Sequence, residues 1–323
     1  VVNRLPSTGE VKISVVFVDF SDAPATRTPQ EVFSLISPGA EQYYDAVSYG
    51  TMKMTFAPTY TWFRMSKPSS DYGWSSLTYA SHFLYIQEAL VRAAPTSNYS
   101  GSAGFLVMSN PDAGSLFNGP AFVASPGGGI SVGGATFESG ATSGRDLLNW
   151  GAHWANHEIG HALGLPDLYA YTGSSHRFVG GYSIMGLISG AAREYFGWER
   201  WLLGWVTDDQ VTRGQPGVTT VDITPIERIG GHKMIVIPTG ATTALVVESR
   251  RKEGLDIGAF DPGALVYYVD TSINSGAGVI QVLPINSSDF SKGTATLGVG
   301  QSLTYGGVTV TLMSQDATAD RVE

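Results

Sequence analysis

Two histidines four residues apart, with a glutamate directly after the first, stand in the segment His157-Glu158-Ile159-Gly160-His161. On a helix, residues i and i+4 leave one face a turn apart, so both imidazoles can address a single ion. Imidazole nitrogen bonds zinc at about 2.0–2.1 Å. Glu158, one position round the helix, faces the side where a water on that ion would sit, which is the place of a general base and not of a ligand. Gly164 and Asp167 extend the pattern to H-E-x-x-H-x-x-G-x-x-D. In a chain of this composition the extended pattern arises by chance roughly three times in 100,000, which sets coincidence aside. Gly164 can take the positive φ that stops a helix and sends the chain back under it. Pro166 holds Leu165 extended, and Asp167 then reaches the same ion from another direction. Three protein ligands with one open position is the arrangement of a catalytic zinc, where a structural zinc would close the fourth position.

The elements that must carry this segment can be read from pattern. Residues 145–163 predict a long helix stopped by Gly164, with Leu147, Leu148, Trp154, Ala155, Ile159, Ala162 and Leu163 as its apolar positions. Residues 11–20 are a nearly unbroken β-branched run, a strand buried on both faces, and residues 105–108 read as another. Helices are expected at 29–36, 39–48 and 81–94, the last ended by Pro95. A glycine-rich stretch at 126–144 reads as a surface loop around a short strand at 130–132. An aromatic helix is expected at 192–203, ended by Gly204. Strand-like runs follow at 218–223, 234–237, 244–248, 264–270, 278–283 and 308–312. The division predicted is 1–206 for an α+β domain with a mixed sheet and the motif helix, and 207–323 for a β-rich, sandwich-like domain. No linker of low complexity separates the two, which favours a supporting role for the second.

Composition narrows the function classes. Lys and Arg total 19 against 28 Asp and Glu, a formal charge of −9, so a phosphate-backbone partner is not expected. No apolar run is long enough to span a membrane. Cysteine is absent, which removes disulfides, thiol nucleophiles and thiolate metal sites. The chain opens at Val1, so the expectation is a processed, secreted protein.

The stretch from His157 to Tyr169, His-Glu-Ile-Gly-His-Ala-Leu-Gly-Leu-Pro-Asp-Leu-Tyr, resembles the active-site segment of the immune inhibitor A family of secreted bacterial metalloproteases, and also the snapalysin motif. The resemblance runs over residues 10–285, through Val11 to Asp22, through Tyr43 to Thr55 with its Ser48-Tyr49-Gly50, and through Glu248-Ser249-Arg250 to Asp270. It implies a metzincin-like zinc-protease domain, peptide-bond hydrolysis, a zymogen origin, and zinc held by His157, His161 and Asp167 with Glu158 as base. Ser183-Ile184-Met185-Gly186 resembles the turn that floors the metal in metzincins. Tyr169, by its similarity to the snapalysin tyrosine, would assist the developing oxyanion, with Tyr171, Tyr182 and Tyr195 as competitors. One departure is that the Asp/Gly-rich loop many relatives carry before the strand preceding the active-site helix is replaced by Ser97-Asn98-Tyr99-Ser100-Gly101-Ser102.

Alternatives remain at several positions. Glu194 could replace Asp167 as third ligand, as a helix-borne Glu does in thermolysin-like sites. His153, a turn before His157, cannot share the ion and reads as a supporting or packing residue, and His176 reads as a loop histidine. Asp19, Asp22, Asp256, Asp261 and Asp270 are candidates for structural calcium, against the plainer reading that they cap turns. The function expected is a secreted, monomeric zinc metalloendopeptidase acting on proteins or peptides. A secreted adhesion module that keeps its zinc for stability, and a zinc aminopeptidase or hydrolase of another amide, are the rival readings.

Overall fold

The apolar run at 11–20 becomes β1 (Gly9–Asp19), buried almost throughout. After it the chain forms α1 (Pro29–Phe33) and α2 (Gly39–Val47), returns as β2 (Met52–Arg64), and crosses through α3 (Tyr79–Ala93) to β3 (Gly104–Ser109). There follow β4 (Ala121–Val123), the hairpin β5 (Ile130–Val132) and β6 (Ala135–Phe137), β7 (Ser139–Thr142), α4 (Leu147–Trp150) and α5 (Ala152–Leu163). These come from a computed structural model that describes residues 3–258, 261–284 and 295–323. Residues up to Leu165 form one compact unit and those from Pro166 another; residue 206, where the sequence reading divides the chain, falls inside the second unit.

In the first unit the sheet order is β2-β1-β3-β7-β4. Every neighbour pair is parallel except β4 against β7, which is antiparallel and places β4 at the sheet edge. Parallel pairing demands long crossovers and cover on both faces, and α3 supplies part of that cover with Ile86, Ala89, Leu90 and Ala93 packed among Val16, Val18, Phe105 and Val107. Thr78 starts α3 with a capping box closed by Ser81. β2 was not expected, because Pro58 interrupts its alternation; proline is tolerated there since β2 is an edge strand with a register shift opposite Val15–Phe17. The β5–β6 hairpin turns on Gly133 and Gly134, both at positive φ, the conformation that suits a two-residue hairpin loop.

The second unit holds α6 (Gly197–Leu202), β8 (Val211–Arg213), β9 (Val221–Ile223), β10 (Met234–Pro238), β11 (Thr243–Arg250), β12 (Gly263–Asp270), β13 (Ile280–Val282), β14 (Ser302–Tyr305), β15 (Val308–Gln315) and β16 (Asp320–Val322). They form a sheet ordered β13-β12-β11-β10-β8 and a second ordered β14-β15-β16-β9. Both sheets contribute to one apolar core, with Leu245 and Val247 of β11 beside Ile223, Val310, Leu312 and Val322. The other face of β11 carries charge. Glu248 accepts the Gly197 N–H at 2.6 Å and the Tyr267 hydroxyl at 2.8 Å, while Arg250 bonds Glu248 and Asp256, each at 2.7 Å. The protein is thus mixed in α and β, with several sheets and few helices, which agrees with the α+β class at that level.

Two predicted helices are corrected. The helix read at 145–163 is broken at Gly151, whose φ of +50° and ψ of −125° separate α4 from α5; a Cβ there would lie 2.8 Å from the Leu35 carbonyl oxygen. The helix read at 192–203 is helical only over α6. Its first half is irregular instead, because Ala192 bridges to Tyr182 and the Glu194 N–H is drawn to the Asp256 carboxylate at 2.9 Å. Tertiary partners override the local pattern here.

His82, on α3, is 6% exposed and sits edge-on to the Trp74 and Phe122 rings, its Nε2 2.8 Å from the Thr142 hydroxyl. Burial lowers its pKa from 6.5 to about 4. Between those values the unfolded chain binds the extra proton, so stability rises with pH there. The contribution is complete above pH 6.5 and lost as pH falls through 4, about 3 kcal/mol in all. Urea unfolding at pH 7 and at pH 4.5 should show that loss in the native protein and a shallower one in His82→Leu.

Candidate metal centre

α5 presents His157 and His161 one turn apart, His157 at 4% exposure and His161 half-buried. Their ring planes are perpendicular, with centroids 4.8 Å apart, and the two Nε2 atoms approach to 3.2 Å. Two nitrogens each about 2.0–2.1 Å from one tetrahedral ion stand about 3.3 Å apart, so the observed separation fits two ligands of one metal. A carboxylate oxygen of Asp167 belongs to the same group, all three ligand atoms lying within 4.8 Å of one another. A largely buried His157–His161–Asp167 group can therefore hold a metal ion.

The turn after α5 sets His161. Gly164 takes φ +111°, and the Gly164 N–H bonds the His161 carbonyl at 2.9 Å while the Leu165 N–H bonds the Gly160 carbonyl at 3.0 Å. This pair of bonds is a Schellman closure. It brings the Leu165 carbonyl oxygen 2.8 Å from His161 Nδ1. A carbonyl only accepts, so Nδ1 carries a proton and Nε2 is the nitrogen turned toward His157. Arg4 steadies the same turn through its bond to the His161 carbonyl at 3.1 Å.

Asp167 is 7% exposed and is held at three points. Its Oδ2 accepts the Tyr171 hydroxyl at 2.5 Å, its N–H donates to Ser275 Oγ at 2.9 Å, and its carbonyl accepts the Gly276 N–H at 3.1 Å. Burial, and then the bond to Asp167, raise the Tyr171 pKa above its ordinary value, which keeps the hydroxyl a donor. The next residue, Leu168, donates its N–H to the Met185 carbonyl at 3.0 Å. Met185 is fully buried in a tight turn where Ser183 has φ +63°. Ser183 Oγ accepts the Met185 N–H at 3.2 Å and donates to Glu199 at 2.9 Å, and His176 Nδ1 lies 3.1 Å from the Gly186 carbonyl oxygen. Burial pushes the Glu199 carboxyl up to about 7.

Glu158, half-buried on α5, accepts the N–H of Ala121 in edge strand β4 at 2.7 Å. Tyr169 is half-buried with its ring 5.6 Å from that of Tyr171. Tyr182 faces the Arg250 guanidinium and Tyr195 stacks on Trp205. Glu194 is paired in the interior with Arg200, so its carboxylate is committed to that cation. His153 is half-buried on the first turn of α5 and is not one of the grouped ligands. The aspartates weighed for calcium have other engagements: Asp19 binds Arg64 through both oxygens, Asp22 accepts from Ser69, Asp256 binds Arg250, Asp270 caps Ser272, and the exposed Asp261 lies 3.7 Å from Lys252. Sequence reasoning missed Ser275, Gly276 and the bond between Tyr171 and Asp167. Ser275 lies 108 residues from Asp167 in sequence, and no spacing rule connects them.

Gly164→Ala tests the turn. A Cβ at Gly164 makes only ordinary contact, 3.4 Å from the Arg4 guanidinium, so the cost is backbone strain of about 1–2 kcal/mol. Urea unfolding should register that cost, and a competition titration with a chromophoric chelator should show weaker zinc binding as His161 loses the Leu165 carbonyl.

No family model matches the chain, and no curated protein does. Among solved structures it is similar to two crystal forms of wild-type OgpA from Akkermansia muciniphila, both at 13% identity. The first alignment covers 92% of this chain and 88% of that one with a TM-score of 0.34; the second covers 93% and 88% with a TM-score of 0.31. Likeness at this level speaks for neither a fold family nor an activity.

Proposed function

We propose that this chain is a secreted zinc-dependent endopeptidase of metzincin-like architecture, related to the immune inhibitor A proteases. The observation that carries the reading is the His157–His161–Asp167 group, with the two Nε2 atoms 3.2 Å apart and Glu158 on the same helix. Zinc held by these three residues would polarise a peptide carbonyl and make a water in its open position more acidic.

The protein's own groups do the rest. His157 and His161 supply neutral nitrogen, and Asp167 brings a negative charge that partly offsets the dication. Glu158 takes the proton of the attacking water as its oxygen bonds the carbonyl carbon, then gives that proton to the amine nitrogen as the C–N bond breaks. The bond from Ala121 holds the Glu158 carboxylate 2.7 Å from the backbone of β4. β4 is an edge strand, and an extended peptide laid along such an edge pairs by main-chain hydrogen bonds. A substrate there runs beside the base. Tyr169 is the residue proposed for the oxyanion, and Met185 the floor of the site. This binding mode favours extended or unfolded segments, since a folded helix offers no free backbone to the strand edge.

Incubation with an unfolded protein, followed by N-terminal mapping of the fragments, should reveal internal cuts. A zinc chelator should abolish them, and Glu158→Gln should slow them by about 10²–10⁴-fold while zinc content stays unchanged. Binding of the unfolded protein with no cleavage would favour an adhesion module instead; cuts confined to the chain end would make it an aminopeptidase.

A further inference from the structure

We propose that Tyr171 and Ser275 are positioning residues for the third metal ligand, joined with Asp167 in a directed ring of hydrogen bonds; this inference rests on the metal reading above and deepens it. An aspartate on an irregular segment turns freely about two side-chain torsions, and immobilising it costs entropy that a metal would otherwise have to offset. Here the cost is met within the fold. The Tyr171 hydroxyl donates to Asp167 Oδ2 at 2.5 Å, so its one proton is used there. The contact of 3.0 Å between Tyr171 and Ser275 must then run the other way, from Ser275 Oγ–H to the Tyr171 oxygen. Ser275 Oγ in turn accepts the Asp167 N–H at 2.9 Å. Each donor and acceptor in the ring is used once, in a single sense, and bonds linked in this way polarise one another.

Tyr171 is itself locked in place. Its N–H donates to the Gly276 carbonyl at 3.1 Å, and a Cβ on Gly276 would fall 2.3 Å from the tyrosine ring. Only glycine fits beneath that ring, and its φ of +72° is one that glycine adopts without strain. The segment between β12 and β13 therefore belongs to the metal centre, although no residue in it can bind the ion strongly. Tyr171 is 58% exposed, so its hydroxyl, and not burial of its ring, accounts for its place beside Asp167.

The test is zinc affinity, measured by competition with a chromophoric chelator on the whole chain, with the visible spectrum of the cobalt-loaded protein as a second readout. Tyr171→Phe keeps the ring and removes the donor; zinc affinity should fall about 10–100-fold, and the cobalt bands should shift. Ser275→Ala should weaken zinc in the same direction, and serves if Tyr171→Phe does not fold. In an Asp167→Ala background, Tyr171→Phe should cause no further loss, because the hydroxyl acts only through the carboxylate. Unchanged zinc affinity in both single variants, or an equal loss with and without Asp167, overturns the proposal. Because no turnover is measured, a wild-type chain that binds zinc yet cuts nothing would sink the protease reading and leave this one standing. Wild-type protein with no measurable zinc affinity would overturn both.

Discussion

Two imidazole nitrogens face each other across 3.2 Å, and that approach governs the rest of the centre. Lone pairs brought so close repel unless a proton or a cation lies between them. The Leu165 carbonyl removes one way out, since it holds the His161 proton on the far nitrogen. A proton between the rings or a positive ion shared by both relieves that repulsion, and with the nearby Asp167 the group can hold an ion. The turn at Gly164 is therefore more than a helix stop. By placing the Leu165 carbonyl against His161 it puts a proton on Nδ1 and turns Nε2 toward His157.

The electrostatic design differs between the two compact units. In the first, the sheet is packed in an apolar core, with the desolvated His82 against it and the buried Asp19 of β1 paired with Arg64. In the second, Arg200, Arg250, Glu194, Glu248 and Asp256 are all nearly or fully buried. Charges so placed must be paired or they would forbid folding. The pairing fixes where α6 lies against β11, through Glu248 and the Gly197 N–H, and it keeps the chain before α6 out of the helix. The tight turn at Met185 is attached to this charged region by the Ser183–Glu199 bond, so its shape depends on polar partners and not on packing alone.

How much of this was legible in the sequence follows from the range of the forces involved. His157, Glu158, His161 and Asp167 lie within eleven consecutive residues, and helix periodicity with a glycine stop is enough to predict that the ligands converge. β1, β3, β10, β11 and β12 were legible because buried strands need continuous apolar runs. β2 was not, since an edge strand may carry Pro58 and polar residues, nor was β7, whose Ser-Gly-Ala-Thr lacks bulk. The break at Gly151 was hidden because a helix tolerates an occasional glycine, and what forbids a side chain there, the positive φ and the neighbouring Leu35 carbonyl, is set by the fold. The ties of Asp167 to Ser275 and Gly276 are long-range and involve small residues, which leave no periodic trace. Glu194 is a different case: its place on the expected helix suggested a ligand, whereas its carboxylate pairs with Arg200, six residues on.

The separation of His161 from Asp167 by only six positions has a thermodynamic side. An ion gripping both would close a very short loop, and the entropy of closure grows only with the logarithm of loop length, so such a clasp does little to restrain the denatured chain. Asp167 and Ser275, in contrast, close a loop 108 residues long using neutral groups. An ion held there would order only the chain around one carboxylate, while the Ser275 hydroxyl ties the Asp167 backbone to a stretch of chain 108 residues away.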